Sequence, residues 1–314
     1  MNVSPVVVFA YNRPSHLRET LSALAANELA KKTPVYIYID GPRSERDHEP
    51  IRKVQDLVSR CTDLNIVGCV NADRNRGLSE SVIAGVSSVL AEHGSVIVLE
   101  DDLVTSPHFL SYMNLALNKF SAVKDVMSVS AYGRPGVRER LREGDPYDAY
   151  FVPRNSSWGW GTWQEAWELA DWGMKDYPEF RSDKSERKRF AQAGSDVDLM
   201  LELQQNGLID SWAIRWTYAH FRNNGLSLVP YESYVRNIGF DGSGTHCGNH
   251  RWNKKRVGVD VQMAKAEPKL PDLPVVRDDV LSIFRELHHQ RLLSQAYWRL
   301  KLLGARVSEK GRRL

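Results

Sequence analysis

The sequence predicts an α/β fold in which a mainly parallel sheet is flanked by helices, and three observations lead there. Short apolar runs rich in β-branched residues alternate with stretches of helical period over residues 1–131. Two of the runs, Pro5–Tyr11 and Val96–Asp102, lack the apolar–polar alternation of a half-solvated strand, and the runs end in polar turns. Strands of that kind are buried on both faces, are joined by right-handed crossovers, and bind ligands beyond their carboxyl ends.

Pro5–Tyr11 is the first strand; Asn12-Arg13-Pro14 breaks it, and Leu17, Leu21 and Leu24 set a helical period. Val35–Ile39 is the second, ending at Asp40-Gly41-Pro42 before a helix with Ile51, Val54, Leu57 and Val58 inward. Asn65–Val70 is the third, followed by Asp73–Gly77 and a helix with Leu78, Val82, Val86 and Val89 that ends near Gly94. The fourth, Val96–Asp102, runs from four apolar residues straight into Glu100, Asp101 and Asp102. Three adjacent carboxylates repel one another, so a strand end tolerates them where water or a bound cation compensates. Hard Mg²⁺ or Mn²⁺ suits them, since it accepts one or two carboxylates and keeps other positions for water and phosphate oxygens. The alternative is an acidic turn capping the next helix, with Ser106 as N-cap and Pro107 as first helical residue. In a parallel sheet Tyr11–Arg13, Asp40, Asp73–Gly77 and Glu100–Asp102 all lie along one edge, around one pocket.

Beyond a helix at Pro107–Phe120 and a strand at Val126–Ala131 the alternation stops, with a loop at Gly133–Pro146. Five of the nine tryptophans fall between Ser156 and Trp172. Core packing accounts for most of them, and an indole facing a cleft would suit the C–H face of a sugar ring. Polar helices follow around Ser185–Gln192 and Val197–Gln205, the second stopped by Gly207. Asp210 stands where it could N-cap the helix containing Trp212, Ile214, Trp216 and Tyr218. Leu226–Val229 and Ser233–Val235 are short strands, and the four glycines of Gly239–Asn249 suggest either a lid that orders over ligand or an ordinary linker. His246 lies within that segment as a phosphate donor or metal ligand. After the stiff spacer Pro268–Pro274, Asp278–Leu303 reads as one helix, and residues 285–314 hold eight Lys and Arg against two Glu. It either packs on the main domain or meets an anionic membrane surface or a partner helix. The expected organisation is one domain over residues 1–265, with halves at 1–131 and 132–265, and a linker and basic helix over 266–314.

The chain has 314 residues, 42% hydrophobic and 26% charged, and a net charge of +3, which argues against a nucleic-acid binder driven by bulk electrostatics. Cys61, Cys69 and Cys247 form no C-x-x-C pair, so neither a disulfide framework nor a zinc site is indicated and a reducing compartment fits. No leader pattern or membrane-length apolar run is present, which predicts a cytosolic protein or one peripheral to a membrane.

With these residues placed, the chain resembles nucleotide-sugar-dependent glycosyltransferases of the GT-A fold, and within them the family of N-acetylglucosaminyltransferase I and its bacterial relatives, from Val6 to His246. Phe9–Pro14 is similar to the first-strand loop that contacts the nucleotide, which implies a donor-binding role for Arg13 with Ala10, Tyr11 and Asn12. Tyr38–Gly41 resembles the loop whose Asp accepts from uracil N3–H, implying Asp40. Asn75–Ser79 is similar to the loop completing the nucleoside pocket, implying Arg76 and Ser79. Leu99–Leu103 resembles the DXD motif, with Asp102 as metal ligand and Glu100 and Asp101 holding water ligands and the sugar or ribose. Gly159–Trp163 resembles the acceptor-side segment, pointing to Trp158, Trp160 and Trp163. Ile209–Trp212 resembles a W-D-D-W segment whose first Asp is the catalytic base. That implies Asp210, although Ile209 replaces the leading Trp and Ser211 the second Asp; Asp171 is the fallback. Tyr231–His246 is similar to the segment entering the loop that orders over donor.

The resemblance implies a metal-dependent (Mn²⁺ or Mg²⁺), inverting transfer of a sugar, GlcNAc or a related hexose, from a UDP-sugar to a hydroxyl of a glycan or lipid-linked glycan. A role in bacterial surface polysaccharide synthesis goes with it, and no nucleic-acid partner. The alternatives are an inactive scaffold on the same fold and a nucleotidyltransferase. Against the latter, Tyr11–Pro14 is not the Gly-rich basic loop that cradles phosphates.

Overall fold

The computed structural model describes residues 3–242, 261, 264–288 and 297–302. The chain opens with β1 (Val6–Ala10), α1 (Pro14–Ala25), β2 (Pro34–Ile39), α2 (His48–Ser59), β3 (Asn65–Asn71), α3 (Leu78–His93) and β4 (Ser95–Glu100), three β–α units and the strand after them. There follow β5 (Leu103–Thr105), α4 (Phe109–Phe120), β6 (Val126–Ser130), β7 (Ala149–Val152) and β8 (Trp160–Trp163). The helices α5 (Gln164–Trp167), α6 (Tyr177–Ser182), α7 (Lys184–Phe190), α8 (Val197–Gln205) and α9 (Trp212–Arg222) come next. The strands β9 (Leu226–Pro230) and β10 (Val235–Asn237) and the helix α10 (Asp278–Leu287) follow, and residues 297–302 are again helical.

Among the described residues eight strands form one sheet in the order β3-β2-β1-β4-β8-β6-β9-β7, and β10 pairs with β5 in a second. The half from β3 to β4 is all parallel, β8 enters antiparallel between β4 and β6, and β9 again runs parallel to β6. Strict alternation along β1 divides the core. Val6 and Val8 face Leu17, Leu21, Ile51, Val54 and the apolar side of α4, while Val7 and Phe9 face Val82, Val86, Trp212 and Trp216. Each expected β–α unit of residues 1–131 is present, and Gly94 ends α3 with φ of +72°.

The tryptophan-rich segment differs from expectation. Gly159–Trp163 is a central strand of the sheet, so Trp160 and Trp163 do not face a cleft. Trp160, 1% exposed, stacks on Trp212 at 4.8 Å and Trp167 at 5.6 Å beneath α3. Trp163 points to the other face and donates its Nε1–H to the Leu117 carbonyl at 3.2 Å. Packing thus claims both indoles, as it does Trp172 and Trp216, stacked 5.9 Å apart. Of the expected C-terminal helix, α10 buries Val280 and Phe284 against Tyr150, Val152 and Tyr231, and Leu302 rests on Leu199 and Leu203. The remainder of that helix lies outside the described residues. No described helix is long and apolar enough to cross a membrane.

His220 ties α9 to the sheet. Its Nδ1 lies 2.8 Å from the Trp216 carbonyl, which can only accept, so Nδ1 carries the proton and Nε2 accepts from the Ser128 hydroxyl at 2.8 Å. Complete burial pushes this imidazole from its ordinary 6.5 down to about 4. As pH falls from about 6.5 to about 4, the unfolded chain takes up a proton that folded His220 refuses, so stability drops across that window. Urea titrations of His220→Gln across it will show a shallower loss than wild type; parallel curves would mean His220 is not the linked group.

Candidate active site

The carboxyl end of β4 is a corner. Glu100 closes the strand, and β5 begins at Leu103 and pairs antiparallel with β10, Leu103 opposite Asn237. Asp101 and Asp102 sit in the turn, 3% and 5% exposed. Buried carboxylates need a counter-charge, and Arg13 supplies it. Its Nη2 bonds Asp101 Oδ1 and lies 2.9 Å from Asp102 Oδ2, and its Nε is 3.4 Å from Asp101 Oδ2. Thr20 of α1 donates to the Asp101 carbonyl at 2.8 Å, fixing the turn from beneath. The acids themselves do not cap α4, whereas the Ser106 hydroxyl accepts from the His108 N–H at 3.2 Å in the turn that enters this helix.

The strand that follows from the far side closes the corner. Asn237 Nδ2 lies 3.4 Å from Asp102 Oδ1, and the Ile238 N–H donates to the Asp102 carbonyl at 2.9 Å. Gly239 stands so close to the Asp102 carboxylate that a Cβ there would displace it, and the same Cβ would lie 3.1 Å from Arg13 Nη1. Phe240 meets Trp158 edge-on at 5.5 Å, and Asp241 pairs with His16 at 3.2 Å. The first residues of the expected lid thus run directly over the acids; His246 lies outside the described residues.

Electrostatics mark the corner as short of positive charge. Burial, reinforced by Asp102 and Asp101, pushes the Glu100 carboxyl up to about 8. Burial raises Asp101 to about 6 despite Arg13. Burial works against the charge of Arg13, but the two aspartates outweigh it and raise the guanidinium above its ordinary value. Three carboxylates against one guanidinium, all hard oxygen donors, fit Mg²⁺ or Mn²⁺. Because Arg13 occupies Asp102 Oδ2, a cation reaches that oxygen only as Arg13 moves off it. Among the described residues no three His, Cys, Asp or Glu side chains are grouped as a metal cage, so an ion here takes most of its ligands from water or substrate.

On the nucleoside side Asp40 does something other than expected. Its Oδ1 accepts from the N–H of Gly41 and Arg76, at 2.9 and 2.8 Å, and its Oδ2 from Asn75 Nδ2 and the Gly77 N–H, at 2.9 and 3.0 Å. Four donors fill a carboxylate, so Asp40 is not left open to a uracil N3–H; it ties the loop before α3 to the end of β2. Gly41 permits the approach, since a Cβ there would stand 2.6 Å from the Ala72 carbonyl oxygen. Arg76 contributes its backbone N–H, with its side chain exposed. The Ala10 carbonyl accepts from the Asp40 N–H at 3.0 Å. Tyr11 accepts from the Arg43 N–H at 3.2 Å, and Asn12 donates to Asp47 at 2.8 Å.

The expected base is set free by its neighbour. Ser211, not Asp210, caps α9, its hydroxyl accepting from the Ile214 N–H at 3.3 Å. Asp210, its side chain 56% exposed, turns toward the start of α3, where its Oδ2 lies 3.4 Å from the place of a Cβ on Gly77. Its Oδ1 is 3.4 Å from Arg215 Nη2, which also bonds the Ser79 hydroxyl. Ser79, 1% exposed, is therefore a buried anchor for Arg215, not an open donor contact. Asp171 accepts from the N–H of Gly173 and Lys175 at 3.0 and 2.9 Å and closes a turn, which is a structural use of that carboxylate. Of the three acceptor-side tryptophans Trp158 alone stays half-buried beside the cleft, against Tyr132 at 4.5 Å. Asp47, Asn75, Arg215 and Asn237 belong to the site and escaped sequence reasoning. Asn75 lies inside a quoted motif, while the contacts that bring Asp47, Arg215 and Asn237 to the site are with the remote residues Asn12, Ser79 and Asp102.

The mainly parallel α/β sheet thus gathers along its carboxyl edge the acid corner, the loop tied by Asp40 and the Asp210 carboxylate. Residues 1–189 match the GNT-I family, and the chain belongs to that family of glycosyltransferases. No curated protein matches it. Among solved structures, S. aureus TarS is similar at 14% identity and a TM-score of 0.38, over 74% of this chain and 36% of TarS. GalNAc-T7 with UDP, GalNAc and Mn²⁺ is similar at 13% and 0.37, over 54% of this chain and 37% of that one. A CMP:2-keto-3-deoxy-manno-octonic acid synthetase complexed with CTP is similar at 12% and 0.36, over 64% and 86%. The chain thus spans little more than a third of TarS and GalNAc-T7.

Asp40→Asn turns one acceptor oxygen into a donor facing donors. It is expected to cost about 1–3 kcal/mol of stability, and to speed hydrogen exchange at the Arg76 and Gly77 amides by at least tenfold. Unchanged protection at those two amides would contradict the role given to Asp40.

Proposed function

We propose that this chain is a metal-dependent, inverting glycosyltransferase that moves GlcNAc or a related hexose from a UDP-sugar to a hydroxyl of a glycan or lipid-linked glycan, in bacterial surface polysaccharide synthesis. The observation behind it is the freed Asp210 carboxylate, turned toward the same sheet edge that holds the buried acid corner and Arg13. Family membership supports the reaction class.

In this reading Asp210 takes the proton of the acceptor hydroxyl as that oxygen attacks the anomeric carbon from the side opposite the diphosphate, which inverts the configuration. Arg215 holds the Asp210 carboxylate in place while itself anchored on Ser79. Arg13, displaced from Asp102, has a guanidinium fork suited to two oxygens of the departing diphosphate. Bound at Asp102, Mn²⁺ or Mg²⁺ would supply further neutralisation of that charge. One displacement suffices, so no covalent sugar–enzyme species and no second nucleophile are required.

Turnover of UDP-GlcNAc, by transfer or by hydrolysis, will fall on the order of 10²–10⁴-fold in Asp210→Asn with its KM little changed, and will hold in Asp171→Asn. Near-normal turnover in Asp210→Asn sinks the base assignment. Absence of turnover of any UDP-sugar by the wild type, with Mn²⁺ and a screen of acceptors, favours the scaffold reading instead.

A further inference from the structure

Residues 297–302 are helical, and their apolar side chains divide between two opposite sides. Trp298 and Leu302, four apart, share one side. Leu302 is 4% exposed and closes on Leu199 and Leu203 of α8, with Trp298, Leu208 and Ile209 around it. Tyr297 and Leu300, three apart, come out on the other side, where they are 52% and 69% exposed. A lone exposed leucine needs no explanation, but this apolar pair lies among cations. Lys301 holds its ammonium 5.3 Å from the centre of the Tyr297 ring, and Arg299 is exposed as well. From there to the end of the sequence the bias continues, with six Lys and Arg against one Glu over residues 297–314.

We infer that this face docks on an anionic lipid bilayer. Tyr297 and Leu300 enter the boundary between headgroups and acyl chains, while Arg299, Lys301 and the basic residues of the tail meet the lipid phosphates. The charge selects this occupant. A second copy would bring like cations against one another, and repulsion opposes that pairing. A protein groove that takes a helix reads anchors at i, i+3, i+4 and i+7, and the described turn supplies two. A bilayer needs no matching groove, so two apolar side chains and a row of cations are enough for reversible attachment. The same helix rests on Leu208 and Ile209, which directly precede Asp210, so docking would set the segment of the candidate base near lipid-borne acceptors. That link to an acceptor rests on the transferase reading above; the docking itself does not.

The test is sedimentation of the full chain with vesicles, without donor or acceptor. One set is phosphatidylcholine alone, and the other is equal parts phosphatidylcholine and phosphatidylglycerol. Saturable binding is expected to the anionic vesicles and little to the neutral ones, with loss of binding in about 1 M NaCl. Affinity should fall about tenfold or more in Leu300→Gln, and likewise in the double variant Arg299→Gln with Lys301→Gln, all at exposed positions. It should hold in Leu169→Gln, a leucine 51% exposed elsewhere on the surface. Binding that ignores lipid charge, no binding to either set, or wild-type affinity in Leu300→Gln or in the double variant overturns the proposal. Self-association of the wild type in light scattering, abolished by Leu300→Gln, would show that a second copy covers this face and would overturn it too. Because no nucleotide is present, the result is independent of UDP binding. Failure of UDP to bind removes the link to an acceptor and leaves the docking standing.

Discussion

Three carboxylates in a row can be buried at the end of a central strand only if positive charge comes to them, and here it comes from the loop after β1. The bond from Arg13 to Asp101 and Asp102 sets the path of that loop. It also allows β10 to close over the corner at a separation only glycine tolerates, at Gly239. One guanidinium does not balance three acids, and the residue of that imbalance is visible in Glu100 and Asp101, both held above the usual carboxylate range by burial. In the proposed reading a bound cation would supply the missing positive charge, part of which Arg13 provides here.

The same economy of parts recurs at the other end of the cleft. Asp40 spends its whole carboxylate on the Gly41 and Asn75–Gly77 donors and so behaves as a tie between two β–α loops. Arg215 links Asp210 to Ser79, which joins α9 to α3. The loops around Asp40 and Asp210 are thus held by polar contacts, on a sheet whose two faces are packed by apolar side chains.

Much of this was legible in the sequence because the first half obeys local rules. β-branched runs, helical periods and Gly94 place the strands and helices within a residue or two, and the acid run falls where a parallel sheet puts its ligands. The tryptophan segment was not legible: Trp163 and Trp167, four apart, suit one helix face as well as they suit a strand end followed by a short helix. Packing against Trp212 and Trp216, over forty residues on, decides between them. Asp210 illustrates a different limit. Asp210 and Ser211 are both good N-caps, and only the formed helix shows that serine takes the cap. Asp40 stands out in the sequence as an acid directly after β2, but its role as a tie depends on donors thirty-five residues later, which no local pattern announces.

The most direct test of this account is calorimetric titration of UDP into the wild type and Asp102→Asn, each with and without Mn²⁺. The account predicts that UDP binding by the wild type requires Mn²⁺ and that the variant loses the metal-dependent part. Binding that ignores Mn²⁺, or that survives intact in Asp102→Asn, would contradict a cation site at the end of β4.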